Sequence, residues 1–193
     1  MEVTPEDKEK QLRKTGLIKG LLLGAIVLVI GIISYYLVIT NFGPWWFPLV
    51  SSFFFGLVLP AIIAAIFTLN LRTSFGGFWS FKQAVTGIFI MFLAAYIVQA
   101  IGRDVIFAKI IEPDMVPKTE AAMIRSINTA AKQLSYTKAE TDAKIADTKK
   151  EFAGTKSTTV TGIIQGVLIS IIFMFVFAII FAAIFKKEQP QVI

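Results

Sequence analysis

The chain contains no cysteine and no histidine. That excludes disulfides, thiol nucleophiles, imidazole acid-base catalysis and the usual zinc and haem ligand sets. Charge is also scarce, at 17% of the 193 residues against about 25% in an ordinary soluble domain. No Asp, Glu, Lys or Arg occurs from Gly20 to Leu71, from Gln83 to Gly102 or from Ser157 to Phe185. A water-soluble domain of this size could not cover so much apolar chain, so a soluble globular enzyme is excluded.

What fills those stretches is membrane-crossing sequence. Each exceeds the roughly 18 apolar residues that cross a hydrocarbon core about 30 Å thick. The first would be about 78 Å long as one helix at about 1.5 Å per residue, so it divides into two. Thr40, Asn41, Phe42, Gly43 and Pro44 supply the turn. Span one is expected over about Gly16 to Ile39, span two over Trp46 to Leu69, span three over Ser80 to Gly102 and span four over Thr159 to Phe185. Span one is too long for the apolar core of a secretory signal, and no small-x-small cleavage site follows it, so it is expected to be retained.

The reading is an all-α membrane protein of four transmembrane helices with an extracytoplasmic helical hairpin between spans three and four. Its parts are a cytoplasmic tail (1–15), spans one to three (16–102), the outer arm (103–158), span four (159–185) and a second cytoplasmic tail (186–193). Orientation follows from Lys8, Lys10, Arg13, Lys14, Lys19, Arg72, Lys82, Lys186 and Lys187, which lie on one side of a four-span chain. Both termini are therefore expected in the cytoplasm. Trp45, Trp46 and Phe47 suit the outer interface, and Phe78, Trp79 and Phe81 the inner one. The formal +6 charge then marks a membrane face; the basic residues border spans or mix with acids, so nucleic acid is not an expected partner.

Helix signals punctuate the polar parts. Thr4-Pro5-Glu6-Asp7 opens a helix with Pro first and acids in the first turn, and is expected to feed span one. Ser80 with Gln83, and Thr137 with Glu140, have capping-box spacing. In the arm, Ile124, Ile127, Ala131 and Leu134 form one narrow apolar stripe; Ile145 and Phe152 mark the other helix. So little apolar area cannot sustain an independent core, so the arm should lean on the membrane domain, on a partner or on a second copy.

Rows of small residues spaced by four mark candidate packing faces: Gly16, Gly20 and Gly24 in span one; Ser52, Gly56, Pro60, Ala64 and Thr68 in span two; Gly162, Gly166 and Ser170, then Ala178 and Ala182, in span four. Glycine is common in membrane helices, so such rows also arise from composition. By depth, the row of span four is expected against span two rather than against span one. Pro60 lacks an amide donor and should kink or loosen span two.

No ionisable acid or base falls within the expected hydrocarbon core, which disfavours proton-coupled transport. Tyr35, Tyr36, Ser52, Gln99 and Gln165 lie toward the outer halves of their spans. They have two competing uses: lining an outward-open polar pocket, or anchoring at the interface and hydrogen-bonding between helices. Arg103, Asp104, Glu112 and Asp114 gather where span three is expected to leave the membrane. Carboxylates there are more simply solvated or paired than catalytic, so no catalytic, metal or cofactor residue is assigned.

The stretch Phe78-Trp79-Ser80-Phe81-Lys82-Gln83-Ala84 with Gly87, then Ile110-Ile111-Glu112-Pro113-Asp114-Met115, a charged helical segment and a last apolar helix resembles a domain-of-unknown-function family of small four-span bacterial inner-membrane proteins. The resemblance covers nearly the whole chain and implies the bacterial inner membrane, but no activity. The functional expectation is a non-enzymatic scaffold or accessory subunit in the lipid bilayer, packing with another integral membrane or envelope protein or with itself. The alternative is a small carrier or flippase for a polar or lipid-linked solute.

Overall fold

The computed structural model describes residues 4–40, 43–156 and 160–188. Its elements are helices: α1 (Pro5–Thr40), α2 (Phe47–Phe53), a π-helical turn π1 (Phe54–Val58), α3 (Leu59–Thr73), α4 (Phe81–Gln99), a π-helical segment π2 (Ala100–Ile111), α5 (Met115–Leu134), α6 (Lys138–Lys156) and α7 (Val160–Phe185). Four stretches are long and apolar enough to cross a bilayer: Glu6–Thr40, Phe47–Thr73, Phe81–Ile111 and Thr161–Phe185. The protein is a multi-pass membrane protein, with the α5/α6 hairpin between its third and fourth spans. Asn41 and Phe42 of the expected turn, Thr159 at the expected start of span four and the extreme ends of both tails lie outside the described residues.

Local chemistry explains where these helices begin and change register. The Thr4 hydroxyl accepts from the Asp7 amide at 3.2 Å, which starts α1 well before the apolar stretch. Ser80 and Gln83 form the expected capping box at the start of α4. Ahead of Pro60 the helix widens: the Leu59 amide donates to Phe54 O, five residues back, so π1 precedes the proline. Pro60 cannot donate, and its ring would press on the carbonyl one turn earlier, so widening just before it relieves both problems.

The third spanning helix is longer than the expected span: it continues past Gly102 as π2 to Ile111, and the Glu112 amide donates to Phe107 O at 2.7 Å. Charges alone do not end a helix, and the next breaker after Gly102 is Pro113. A helix of this length exceeds a hydrocarbon core of about 30 Å, so its charged last turns have length to project beyond it.

The chain forms two compact units: residues 1–28, 61–101 and 164–193 make the first, and residues 29–60 and 102–163 the second. The first holds the main core, with Leu12, Leu71, Ile88, Met91, Ala178 and Ala182 buried together. Its tightest seam joins α1 to α4. A methyl on Gly20 would overlap Met91 O and lie 2.7 Å from Ala94 Cβ; one on Gly24 would lie 2.7 Å from Val98 Cβ, and one on Gly16 2.9 Å from Gly87 O. Phe175 and Phe181 of α7 meet Phe89 and Phe92 of α4 edge-on, at 5.7 and 5.3 Å between ring centres.

The carboxyl end of α7 is tied down within the same unit. Phe185 O accepts from the Trp79 indole at 3.1 Å and from the Arg72 guanidinium at 3.2 Å, while the Trp79 amide donates to Lys187 O at 2.9 Å. Helix α7 has no basic residue in its own last turn, so Arg72 supplies the positive charge that its end favours. The route to Trp79 needs Gly76 and Gly77, whose φ angles of 80° and 81° suit glycine.

In the second unit, Phe107 of π2 is buried against Tyr35 and Tyr36, with ring centres 5.4 and 6.1 Å away. Val38, Pro48, Ser51, Ala122 and Ala130 are also buried.

The glycines make contrasting predictions. Gly20→Ala should cost about 1–3 kcal/mol through overpacking, lowering the melting temperature of the detergent-solubilised protein. Gly56→Ala and Gly166→Ala, where an added Cβ meets nothing within 4 Å, should be neutral or gain up to about 1 kcal/mol of helix propensity.

Candidate functional site

The arm between spans three and four is built from its own turn outward. Ser135 closes α5 in the left-handed conformation, at φ 55°, and the Tyr136 amide donates back to Ala131 O. Thr137 then opens α6: its amide and hydroxyl each donate to a Glu140 carboxylate oxygen at 2.8 Å, and its hydroxyl accepts from the Glu140 amide at 3.3 Å. Those bonds, the backbone one foremost, hold the Glu140 carboxyl below its ordinary pKa.

Helix α5 leans on the membrane part of its own unit. Arg125 donates to Ile39 O at 2.6 Å, at the end of α1, and the Ser126 hydroxyl donates to Trp45 O. Like α7, α1 lacks a basic residue in its last turn, and again an arginine from elsewhere meets the negative end of the helix. A small cleft of about 230 Å³ lies here, bounded by Pro44, Pro48, Arg125 and Thr129 among others. Helix α6 packs on α5. Its half-buried residues are Thr141, Ile145, Thr148 and Phe152, one face of a helix; the rest, from Lys138 to Gly154, are exposed.

The residues of the expected polar pocket have separate fates. In the second unit Tyr36 and Ser52 are exposed, whereas the Tyr35 hydroxyl is buried without a hydrogen-bond partner among the described residues. In the first unit Gln99 donates to Gly24 O at 2.8 Å, an interhelical bond at the glycine seam, and Gln165 is exposed. None of the five lines the cleft beside Arg125 or the cavity of about 810 Å³ at the start of α1.

Of the charged residues, Glu112 and Asp114 both act on Tyr35 and Lys118. Arg103 and Asp104 are exposed on π2, and Asp114 precedes α5 without a side-chain capping bond. Glu112 pairs with Lys118 at 2.5 Å, and that bond raises the lysine above its ordinary pKa. Among the described residues no three carboxylates gather as a metal site.

Of the packing rows, Gly16, Gly20 and Gly24 face α4, and Ala64 joins the buried core of the first unit. Gly56 and Gly166 have open space where a side chain would begin, Ser52 is exposed, and Pro60, Gly162 and Ser170 are half-buried. Of the span-four row it is the end, Ala178 and Ala182, that joins the core, and Thr68 of the span-two row is buried as well. Sequence reasoning did not single out Arg72 and Arg125 as caps, because their partner carbonyls lie 113 and 86 residues away. It also did not find the larger cavity of the first unit, about 810 Å³, which is lined from the start of α1, the 74–80 connection, the start of α4 and Glu188.

A family profile described as protein of unknown function (DUF4199) matches residues 14–187, and the chain belongs to that family. No curated protein and no solved structure matches it.

The start of α6 should respond to acid. Because the Glu140 pKa is depressed in the folded arm, its cap contributes above the unfolded value of about 4.3 and is lost as pH falls through the lower folded value. Amide hydrogen exchange at the first turn of α6 should accelerate on acidification below that range, after correction for intrinsic rates. Thr137→Ala should show faster exchange already at pH 7 but keep part of the acid response, since the residue-137 amide still donates to Glu140; Glu140→Gln, which has no titrating carboxyl, should abolish that response.

Proposed function

For a chain of this family, we propose a non-enzymatic membrane scaffold or accessory subunit whose arm docks onto another integral membrane or envelope protein, or onto a second copy. The observation that carries this reading is α6. It buries one narrow face on α5 and presents every other side of a charged helix to its surroundings. A helix polar nearly all round is stabilised little by burial and is suited to bridging between proteins. Its anchor is firm, since Arg125 and Ser126 bond α5 to the backbone of Ile39 and Trp45.

Open small-residue surfaces support the same reading. An added Cβ at Gly56 or Gly166 would meet nothing within 4 Å, and small residues of this kind let a neighbouring membrane helix approach closely. The carrier alternative has weaker support: Gln99 is spent on Gly24 O, and Gln165 is exposed.

The proposed setting is the bacterial inner membrane, with both termini cytoplasmic and the arm outside. Because the chain has no native cysteine, Lys144→Cys and Lys8→Cys each give one unique thiol. A membrane-impermeant maleimide should label the first from outside intact inner membranes and the second only after permeabilisation; the reverse pattern would overturn this topology.

Docking is tested by mild extraction and mass measurement. The native protein should migrate with a partner or as an oligomer. Gly56→Leu with Gly166→Leu should release it as a monomer of unchanged melting temperature. Wild-type protein running alone as a monomer under the mildest extraction would end the proposal.

A further inference from the structure

The larger cavity lies in the first unit, where α1 begins and where the chain turns between its second and third spans. Its walls combine two chemistries. Leu12, Phe75, Phe78 and Trp79 supply an apolar side, and Lys8 and Lys82 supply ammonium groups. Two acids, Glu9 and Glu188, also line it, but each is engaged: Glu9 with Arg13 at 2.5 Å and Glu188 with Lys186 at 3.9 Å. Neither Lys8 nor Lys82 has a carboxylate partner among the described residues. A third cation is adjacent, since Lys187 Nζ lies 5.2 Å from the centre of the Phe78 ring.

Part of the wall is fixed without any ligand. Trp79 is 3% exposed and is held through both its indole and its amide to the end of α7. Ser80 and Gln83, which also line the cavity, are locked in the α4 capping box. An aromatic wall anchored at Trp79, beside two ammonium groups that form no ion pair and at the end of membrane-spanning helices, suits an occupant with an anionic head and an apolar body.

We infer that this cavity binds the phosphate head of an anionic amphiphile, with Lys8 and Lys82 neutralising the phosphate and the Phe75, Phe78 and Trp79 side receiving the adjoining apolar part. Phosphate is favoured over a carboxylate because it offers several charged oxygens to two separate ammonium groups. The volume of about 810 Å³ accommodates a head group with the start of its chains. The inference does not depend on the docking proposal, which rests on α6, Gly56 and Gly166, none of which lines the cavity.

The test is native mass spectrometry of the full-length protein, titrated with phosphatidylglycerol or phosphatidylcholine. Phosphatidylglycerol should be retained preferentially. Lys8→Gln with Lys82→Gln should weaken its retention by about thirtyfold, from roughly 1 kcal/mol per lysine. Lys8→Arg with Lys82→Arg should restore it, and Lys109→Gln with Lys132→Gln should leave it unchanged. Competition separates the possible sources of the phosphate. Complete displacement by millimolar inorganic phosphate identifies a free-phosphate site, and persistence of the bound lipid identifies the amphiphile.

Equal retention of the two lipids, or equal loss in both glutamine pairs, would overturn the inference. If the Lys8/Lys82 variants fail to fold, a photoactivatable phosphatidylglycerol on the wild-type protein decides. Crosslinks within residues 4–14 or 74–86 support the site, and crosslinks confined elsewhere refute it.

Discussion

The first unit depends on how closely α1 approaches α4. In lipid there is little hydrophobic gain in bringing two apolar helices together, so contact must come from shape and from hydrogen bonds. Gly16, Gly20 and Gly24 remove the atoms that would hold the helices apart: a methyl at any of them would lie within 3 Å of α4. The same absence exposes the Gly24 carbonyl, and Gln99 reaches it at 2.8 Å. A polar residue in a membrane helix is thus satisfied by the backbone that a missing side chain uncovers. The seam also puts Leu12 against Gly87, where Leu71 of α3 meets it from another element.

A second constraint concerns helix ends. The last carbonyls of a helix have no partner within it, and near a membrane they cannot all rely on water. Neither α1 nor α7 carries a basic residue in its final turn. Each is met by an arginine from a distant part of its own unit, Arg125 at Ile39 O and Arg72 at Phe185 O. These bonds carry tertiary information, because each names which element must lie at which helix end. Trp79 reinforces the second of them through indole and amide together.

Much of this was readable from residue order, for a physical reason. Spans follow from length and apolar composition, and the Ser80–Gln83 and Thr137–Glu140 boxes follow from spacing within a single turn, so both are local. The continuation of the third spanning helix as π2 is not legible in an apolar run that stops before Arg103, because charge does not end a helix, whereas the proline at 113 removes the means to continue. The arginine caps were invisible, since a carbonyl acceptor has no residue signature. The Gly76-Gly77 pair signals a turn, but not that the turn delivers Trp79 to α7. The larger cavity draws on segments from both ends and the middle of the chain, and no periodicity within any one of them announces it.

Trp79 and the α4 cap link stability to binding. The segment from Arg72 to Gln83 fixes the end of α7, turns on two glycines, caps α4 and walls the lysine-lined cavity. Because its backbone is already committed to those bonds, an occupant would meet a formed aromatic wall rather than having to order one, which reduces the entropy charged against binding. The lysines are different. Lys8 and Lys82 are exposed and support none of the clamp's hydrogen bonds. Fold and recognition therefore rest on different residues of one short segment and its neighbour in α1. That separation lets charge be removed from the cavity while the helix-end contacts beneath it persist.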